Sequence, residues 1–163
     1  VSGAPEPLMD TEADILIRPA TQADLPGIVH VFMGDDGSPK GDLWSDETKP
    51  LYEAAFASIA ADGNQHLLVV EKDGAVIGTC QVTLIPGLVA RGRLRAKLES
   101  VHVRPEWRGH GIGERLVRHA IALAKAKGAG IVELSSNKVR LAAHRFYERL
   151  GFSQSHEGFK LEI

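Results

Sequence analysis

Residues 103–128 read VRPEWRGHGIGERLVRHAIALAKAKG, and this stretch decides the fold. It leaves a strand-like segment, passes Gly109, Gly111 and Gly113, and enters an apolar stripe of Leu116, Val117, Ala120, Ile121 and Ala124 at helical spacing. Lys125 and Lys127 sit in the last turn and Gly128 follows as a left-handed stop, so a helix is expected between the glycines and Gly128. The first N–H groups of a helix have no acceptor within it, and the helix dipole adds partial positive charge at that end. Glycines keep the approach to those groups open, and Arg104 and Arg108 bring permanent charge, so the turn reads as a cradle for phosphate. A Walker loop requires Lys-Ser/Thr after its last glycine, where this chain has Glu114 and Arg115. A dinucleotide-binding turn built on Gly111 and Gly113 needs a third glycine where Leu116 stands.

The chain upstream of this turn carries an irregularity of its own. In residues 93–103, RLRAKLESVHV, Leu94, Ala96 and Leu98 are apolar at even positions, and Val101 and Val103 at odd ones. A regular strand would send the two sets to opposite faces. One extra residue near Glu99 and Ser100, a β-bulge, restores a single apolar face and re-aims the side chains beside it; a strand buried on both faces is the alternative.

The remaining elements follow by pattern. Residues 15–20 form strand β1, and 21–33 helix α1, opened by Thr21 with Asp24 three residues on. Helix α2 runs from about Leu51 to Asp62-Gly63, and strands β2 (66–72) and β3 (75–84) make a hairpin on Asp73-Gly74. Then come β4 (93–103), α3 after the glycines, β5 (130–136), α4 (140–150), and a last hairpin, β6 and β7, within residues 152–163 turning at Glu157-Gly158. The order β1-α1-α2-β2-β3-β4-α3-β5-α4-β6-β7 describes an α+β fold, one mixed sheet with helices on its faces. Residues 1–13 read as a disordered tail, leaving 14–163 as one domain.

Composition narrows the function. A net charge of −2 over 163 residues argues against nucleic acid as the main partner, and no apolar run reaches membrane-spanning length. The single cysteine, Cys80, excludes an internal disulfide and fits a reducing cytoplasm. The histidines show no metal-ligand spacing, so no metal is expected. A homodimer is compatible with all of this.

The run LESVHVRPEWRGHGIGERLVRHA, residues 98–120, resembles the signature of the GNAT-type N-acetyltransferases. Their Arg/Gln-x-x-Gly-x-Gly/Ala turn is matched by Arg108-Gly109-His110-Gly111-Ile112-Gly113, and a second block, NKVRLAAHRFYERLGF (137–152), matches the family's Asn-containing turn, Phe-Tyr helix and Gly-Phe ending. Residues 133–160 are also similar to aminoalkylphosphonate N-acetyltransferases. The resemblance implies the single-domain acyl-CoA N-acyltransferase fold, with β4 and β5 splayed apart at the bulge, and acetyl-CoA as co-substrate. It implies cofactor contacts from Val101, His102 and Val103, from the turn Arg108, Gly109, His110, Gly111, Ile112, Gly113 and Glu114, and from Asn137 and Tyr147.

The same resemblance implies the chemistry. A primary amine is mostly protonated at pH 7, so something must take its proton, and Glu99 stands where several family members place a carboxylate base. Pairing with Arg95 or Lys97 is its structural alternative, and His102 is the rival base. Tyr147 matches the tyrosine that serves the leaving thiolate. The acceptor implied is a small-molecule amine; a protein lysine or N-terminal amine is the sibling class, and a non-enzymatic CoA-binding module would keep the glycines and lack the base. The acidic segment with Asp35, Asp36, Asp42 and Trp44 suits a cationic acceptor, whereas Arg91, Arg93 and Arg95 suit a phosphate or phosphonate.

Overall fold

A computed structural model of the chain describes residues 14–34 and 40–163. The expected tail, residues 1–13, and the acidic positions Asp35 and Asp36 lie outside the described residues. The elements are β1 (Ile15–Pro19), α1 (Leu25–Met33), α2 (Lys49–Ala61), β2 (Gln65–Lys72), β3 (Ala75–Ile85), β4 (Arg95–Val103), α3 (Ile112–Ala126), β5 (Ile131–Leu134) and α4 (Leu141–Arg149). Short 3₁₀ turns precede α1 and the glycines, and a single helical turn with left-handed Ala90 and Arg91 joins β3 to β4. The strands form one sheet in the order β1-β2-β3-β4-β5, antiparallel except for the parallel β4–β5 pair.

Each face of this sheet is covered by helices. On one side Leu116, Val117, Ala120 and Ala124 of α3, all fully buried, pack on Ile77, Val82, Ala96 and Leu98. On the other, Leu25, Ile28 and Val31 of α1 pack on Val69 and Val76, with Phe56 of α2 beside them. Gly27 is what lets α1 come this close, since a β-carbon there would stand 3.0 Å from Val76 Cβ.

The start of α1 is tied to the sheet by charge. Arg18 Nη1 and Nη2 donate to the two carboxylate oxygens of Asp24 at 2.7 and 2.8 Å, and Arg18 Nε donates to Glu71 at 2.7 Å. Asp24 Oδ2 also accepts from the Thr21 N–H at 2.7 Å. The Arg18 hydrogen bonds hold the Asp24 pKa down at about 2, against an ordinary 3.8. Because the folded value is the lower one, this stabilisation is complete above the unfolded pKa and is lost as pH falls through the folded one. Asp24→Asn is therefore expected to cost about 2 kcal/mol at pH 7, as charged hydrogen bonds do, and to flatten the acid limb of a melting-temperature profile below pH 4. An acid limb identical to wild type would assign that transition to other carboxylates.

The β-bulge falls where the parity of apolar residues places it. Glu99 pairs with Gln81 and His102 with Thr79, so Ser100 and Val101 together face Cys80, and Ser100 takes a positive φ of 51°. Pairing of β4 with β5 covers Arg95 to Leu98 and stops, which is the splay that the family resemblance implies.

The expected final hairpin is corrected. Residues 152–163 form no strand, and Phe152 alone among them packs on the core. A two-stranded hairpin is marginal without a third strand or a helix to bury its face, and Phe159 and Leu161 find no such surface among the described residues.

Candidate active site

Gly111 begins α3 in the left-handed conformation, at φ 74°, and Gly109 has φ 76°. A β-carbon at either position would meet nothing within 4 Å, so both glycines border open space. Arg115 N–H donates to Gly111 O at 3.1 Å and is the first to bond within the helix. The N–H groups of Ile112, Gly113 and Glu114 therefore lack a helical acceptor and sit at the positive end of a fifteen-residue helix. Open space, orphan donors and a positive helix end together fit a pyrophosphate. Gly113 departs from the sequence reading: its β-carbon would lie 3.6 Å from Phe146 Cζ and 3.8 Å from Val103 Cγ2. At these distances a β-carbon would make ordinary van der Waals contact, so Gly113 lies against α4 and β4, and only Gly109 and Gly111 border open space.

The neighbouring edge of β4 supplies a second set of groups. Arg104 N–H donates to Ile77 O of β3 at 2.8 Å. Backbone groups alternate along an extended strand, so His102 also turns toward β3, while Val103 and Val101 turn to the edge that β5 has left. Arg108 Nε donates to Val103 O at 3.2 Å on that edge. The side chains of Val101 and Val103 join the core on the α3 side. Near the splay the Ser136 hydroxyl is buried without a hydrogen-bond partner, an orphan of the kind a ligand amide completes. The sequence offered little to single it out, because LSSN reads as an ordinary strand end.

His110 and Asn137 shape their own turns. His110 Nδ1 contacts Arg108 O at 2.9 Å, and Asn137 Oδ1 accepts from the Val139 N–H at 3.1 Å while Asn137 O meets His144 Nε2 at 2.9 Å. Glu114 pairs with Arg118 at 2.8 Å. These four contacts hold the side chains and backbone of the two turns within their own segments.

Of the two candidate bases, Glu99 is exposed and its carboxylate lies 3.3 Å from Lys97 Nζ. Arg95, the other partner considered for it, is taken by Glu133 at 2.9 Å. His102 lies beneath α1 with its ring edge-on to Phe32, centroids 5.3 Å apart. Burial first, then the charges of Arg140, Lys40 and Arg108, push its pKa below the usual histidine value, opposed by Asp42. His102 is thus neutral at pH 7. Residues from the α1–α2 loop, the glycine turn and the turn before α4 thereby converge on one end of β4, which spacing in the sequence did not reveal.

Tyr147 is half-buried on the same core face as Val101 and Val103. Its ring meets Phe146 and Phe152 edge-on, at 5.0 and 5.7 Å. No hydrogen bond engages its hydroxyl among the described residues. Burial, with a smaller effect of Cys80, raises its pKa, so the hydroxyl keeps its proton well above neutrality.

The groups considered for acceptor recognition are partly committed. Arg93 donates to Gly130 O and Arg95 is held by Glu133, so neither is presented as a free anion site. Tyr52 donates to Asp42 at 2.9 Å and stacks on Trp44. Trp44, His30 and Arg104 line a cavity of about 640 Å³ between α1 and the start of β3, separate from the glycine turn. Among the described residues no group of three or more His, Cys, Asp or Glu could hold a metal ion, and no helix is long and apolar enough to cross a membrane.

Residues 28–152 match the model of the Acetyltransferase (GNAT) family. The chain belongs to this family. An aminoalkylphosphonate N-acetyltransferase from Salmonella typhimurium is 33% identical over 108 residues, covering 66% of this chain and 70% of its own. A glucosamine 6-phosphate N-acetyltransferase from Trypanosoma brucei brucei is 29% identical over 123 residues, 72% and 81% of the two chains. Among solved structures, a transcriptional regulator from Bacillus halodurans superposes with a TM-score of 0.86 at 38% identity, over 91% of this chain and 99% of that one. The protein is accordingly a GNAT acetyltransferase, built on a mixed five-stranded sheet.

Proposed function

We propose that this acetyltransferase moves the acetyl group of acetyl-CoA to a primary amine of a small molecule, which attacks the thioester directly. The observation that carries the reading is a juxtaposition: an open left-handed glycine turn at the start of α3 stands beside a β4 edge that has no strand partner beyond Leu98. Bound there, acetyl-CoA would supply the acetyl group as an activated thioester. The N–H groups of Ile112, Gly113 and Glu114, with Arg108, would hold the pyrophosphate. The outward main-chain groups of Val101 and Val103 and the orphan hydroxyl of Ser136 would engage the amides of the pantetheine arm. Val101 N–H would donate to the thioester carbonyl as charge grows on its oxygen.

In this reading Glu99 takes a proton from the acceptor ammonium and Tyr147 gives one to the leaving sulfur. A small acceptor is favoured over a protein one because the relatives from Salmonella and Trypanosoma are named for small amines. The lone cysteine, buried and unpaired, suits a reducing cytoplasm.

The test is release of free thiol from acetyl-CoA across a panel of small amines, with a lysine peptide as comparison. Glu99→Gln is expected to bind acetyl-CoA normally and to turn over slowly at neutral pH. An alkylamine with a pKa near ~10 gains about tenfold in free base per pH unit, so the defect shrinks as pH rises. A rate unchanged from pH 6 to 9 with chemistry limiting would remove Glu99 from the mechanism and turn attention to neutral His102. A pH-independent defect accompanied by lower melting would make the carboxylate a structural partner of Lys97.

A further inference from the structure

The Gln65 carboxamide accepts two hydrogen bonds on one oxygen. Gln81 Nε2 and Thr83 Oγ1 each donate to Gln65 Oε1 at 2.8 Å. Register brings the three residues together, since Gln65 pairs with Thr83 across β2 and β3, and Gln81 stands two positions earlier on β3. Cys80, Val82 and Leu84 point into the core on the α3 side. Side chains alternate along a strand, so Gln81 and Thr83 point to the opposite face of the sheet, the one under α1 and α2. A flexible glutamine on this face is thereby held in one direction.

On its other side Gln81 faces β4, where its register partner is Glu99. Residues directly opposite in an antiparallel pair have β-carbons about 4.5–5.5 Å apart, so the two side chains rise from one face within reach of a common point. With Nε2 turned to β2, the Gln81 carboxamide presents Oε1 on its β4 side. A carboxamide oxygen only accepts hydrogen bonds, and so does a carboxylate. Lys97 Nζ meets Glu99 Oε1 at 3.3 Å, and no hydrogen bond engages Gln81 Oε1 or the second Glu99 oxygen among the described residues. Two acceptors thus stand side by side with no donor between them. Their surroundings are open, since Glu99 is exposed and Gln81 half-buried. The bulge begins at the next residue, Ser100, which puts the pair two positions from Val101, whose N–H is assigned to the thioester carbonyl.

We infer, on the acetyl-transfer reading above, that Gln81 seats the ammonium of the acceptor: Gln81 Oε1 and the Glu99 carboxylate each accept one of its N–H groups, and Gln65 holds Gln81 in the orientation that allows it. An ammonium carries three donors, and hydrogen bonds from a charged donor are about twice as strong as neutral ones, so it is the group that satisfies two adjacent acceptors at once. When one proton passes to Glu99, the N–H bonded to Gln81 keeps the neutral amine beside the bulge. Gln81 is thereby a binding residue for the amine itself, and Gln65 a positioning residue that acts through it.

The test uses the full chain and the small amine that releases thiol from acetyl-CoA fastest in the panel above. Gln81→Met keeps the length of the side chain and leaves Gln65 Oε1 its hydrogen bond from Thr83, so melting should stay close to wild type. The variant's KM for the amine is expected to rise about tenfold or more, as loss of a hydrogen bond to a charged group does, with KM for acetyl-CoA unchanged. Gln81→Glu, which restores an acceptor oxygen at the same reach, should return the amine KM to near the wild-type value. The alcohol of the same skeleton offers one neutral donor and should compete about tenfold or more weakly than the amine binds. An unaltered amine KM in Gln81→Met, a Gln81→Glu variant as weak as Gln81→Met, or an alcohol that competes as well as the amine would each overturn the inference while leaving acetyl transfer standing. Failure of the acetyl-transfer reading gives a different result, no thiol release with any amine, and removes the ammonium seat with it.

Discussion

Gly111→Val is expected to weaken acetyl-CoA binding by about 100-fold or more, the equivalent of about 2.7 kcal/mol, in a protein that still folds. The new side chain enters open space, and beyond its own chain neighbours no atom of the described protein lies within 4 Å of its β-carbon. Its cost to the free fold is therefore that of the left-handed backbone at φ 74°, about 1–2 kcal/mol. What it obstructs is the approach of an anion to the N–H groups of Ile112, Gly113 and Glu114. Gly128→Val is the matched control. Gly128 also has a positive φ, 90°, and open surroundings, but it lies past the far end of α3. The two variants should lose similar melting temperature, and Gly111→Val alone should lose ligand in a calorimetric titration. Wild-type affinity in folded Gly111→Val would end the phosphate-cradle assignment. Gly113 makes a poorer test, since a side chain there faces Phe146 and Val103 and not open space.

Tyr147→Phe is expected to lower kcat by roughly 10²-fold, the lower end of what a positioned acid contributes, with KM for acetyl-CoA little changed. Phenylalanine keeps the edge-on packing with Phe146 and Phe152. It deletes a hydroxyl that makes no hydrogen bond among the described residues, so melting should move little, within about 0.5 kcal/mol. The direction of the pKa shift adds a second readout. Burial raises the Tyr147 pKa, so the wild-type hydroxyl stays protonated through pH 9 and contributes no descending limb to the rate profile there. An unchanged kcat in single-turnover experiments would return Tyr147 to a packing role.

Much of this architecture was legible before any coordinates. The change of apolar parity between Leu98 and Val101 announced the bulge, because side-chain direction in a strand has a period of two and a one-residue slip leaves a trace in the sequence. The glycine turn and α3 were legible for a similar reason: a 3.6-residue stripe, a glycine start and a Lys-rich end are all local properties of a helix. Asp73-Gly74 announced the β2–β3 hairpin, and both residues adopt the positive φ that such a turn needs.

The missed features share a different character. That Gly113 faces Phe146 depends on how α4 crosses α3, thirty-three positions away in sequence, and although strand parity allowed His102 to lie under a helix, that Phe32 of α1 is the ring covering it depends on the path of α1 across the opposite face. Whether Glu99 pairs with Lys97 or Arg95 was decided by a competitor, Glu133, brought alongside by the parallel β4–β5 register. The last hairpin was expected from a sound strand pattern, yet alternation states only that a segment has two faces and is silent on which sheet edge receives it. By itself the sequence determined the periodicities, the turns and the glycine start of α3, because these arise from the conformational preferences of neighbouring residues. Only the tertiary structure decided which glycine opens toward a ligand, which carboxylate is taken, and which strand edge is left bare, because each depends on competition among groups distant in the chain for the same few partners.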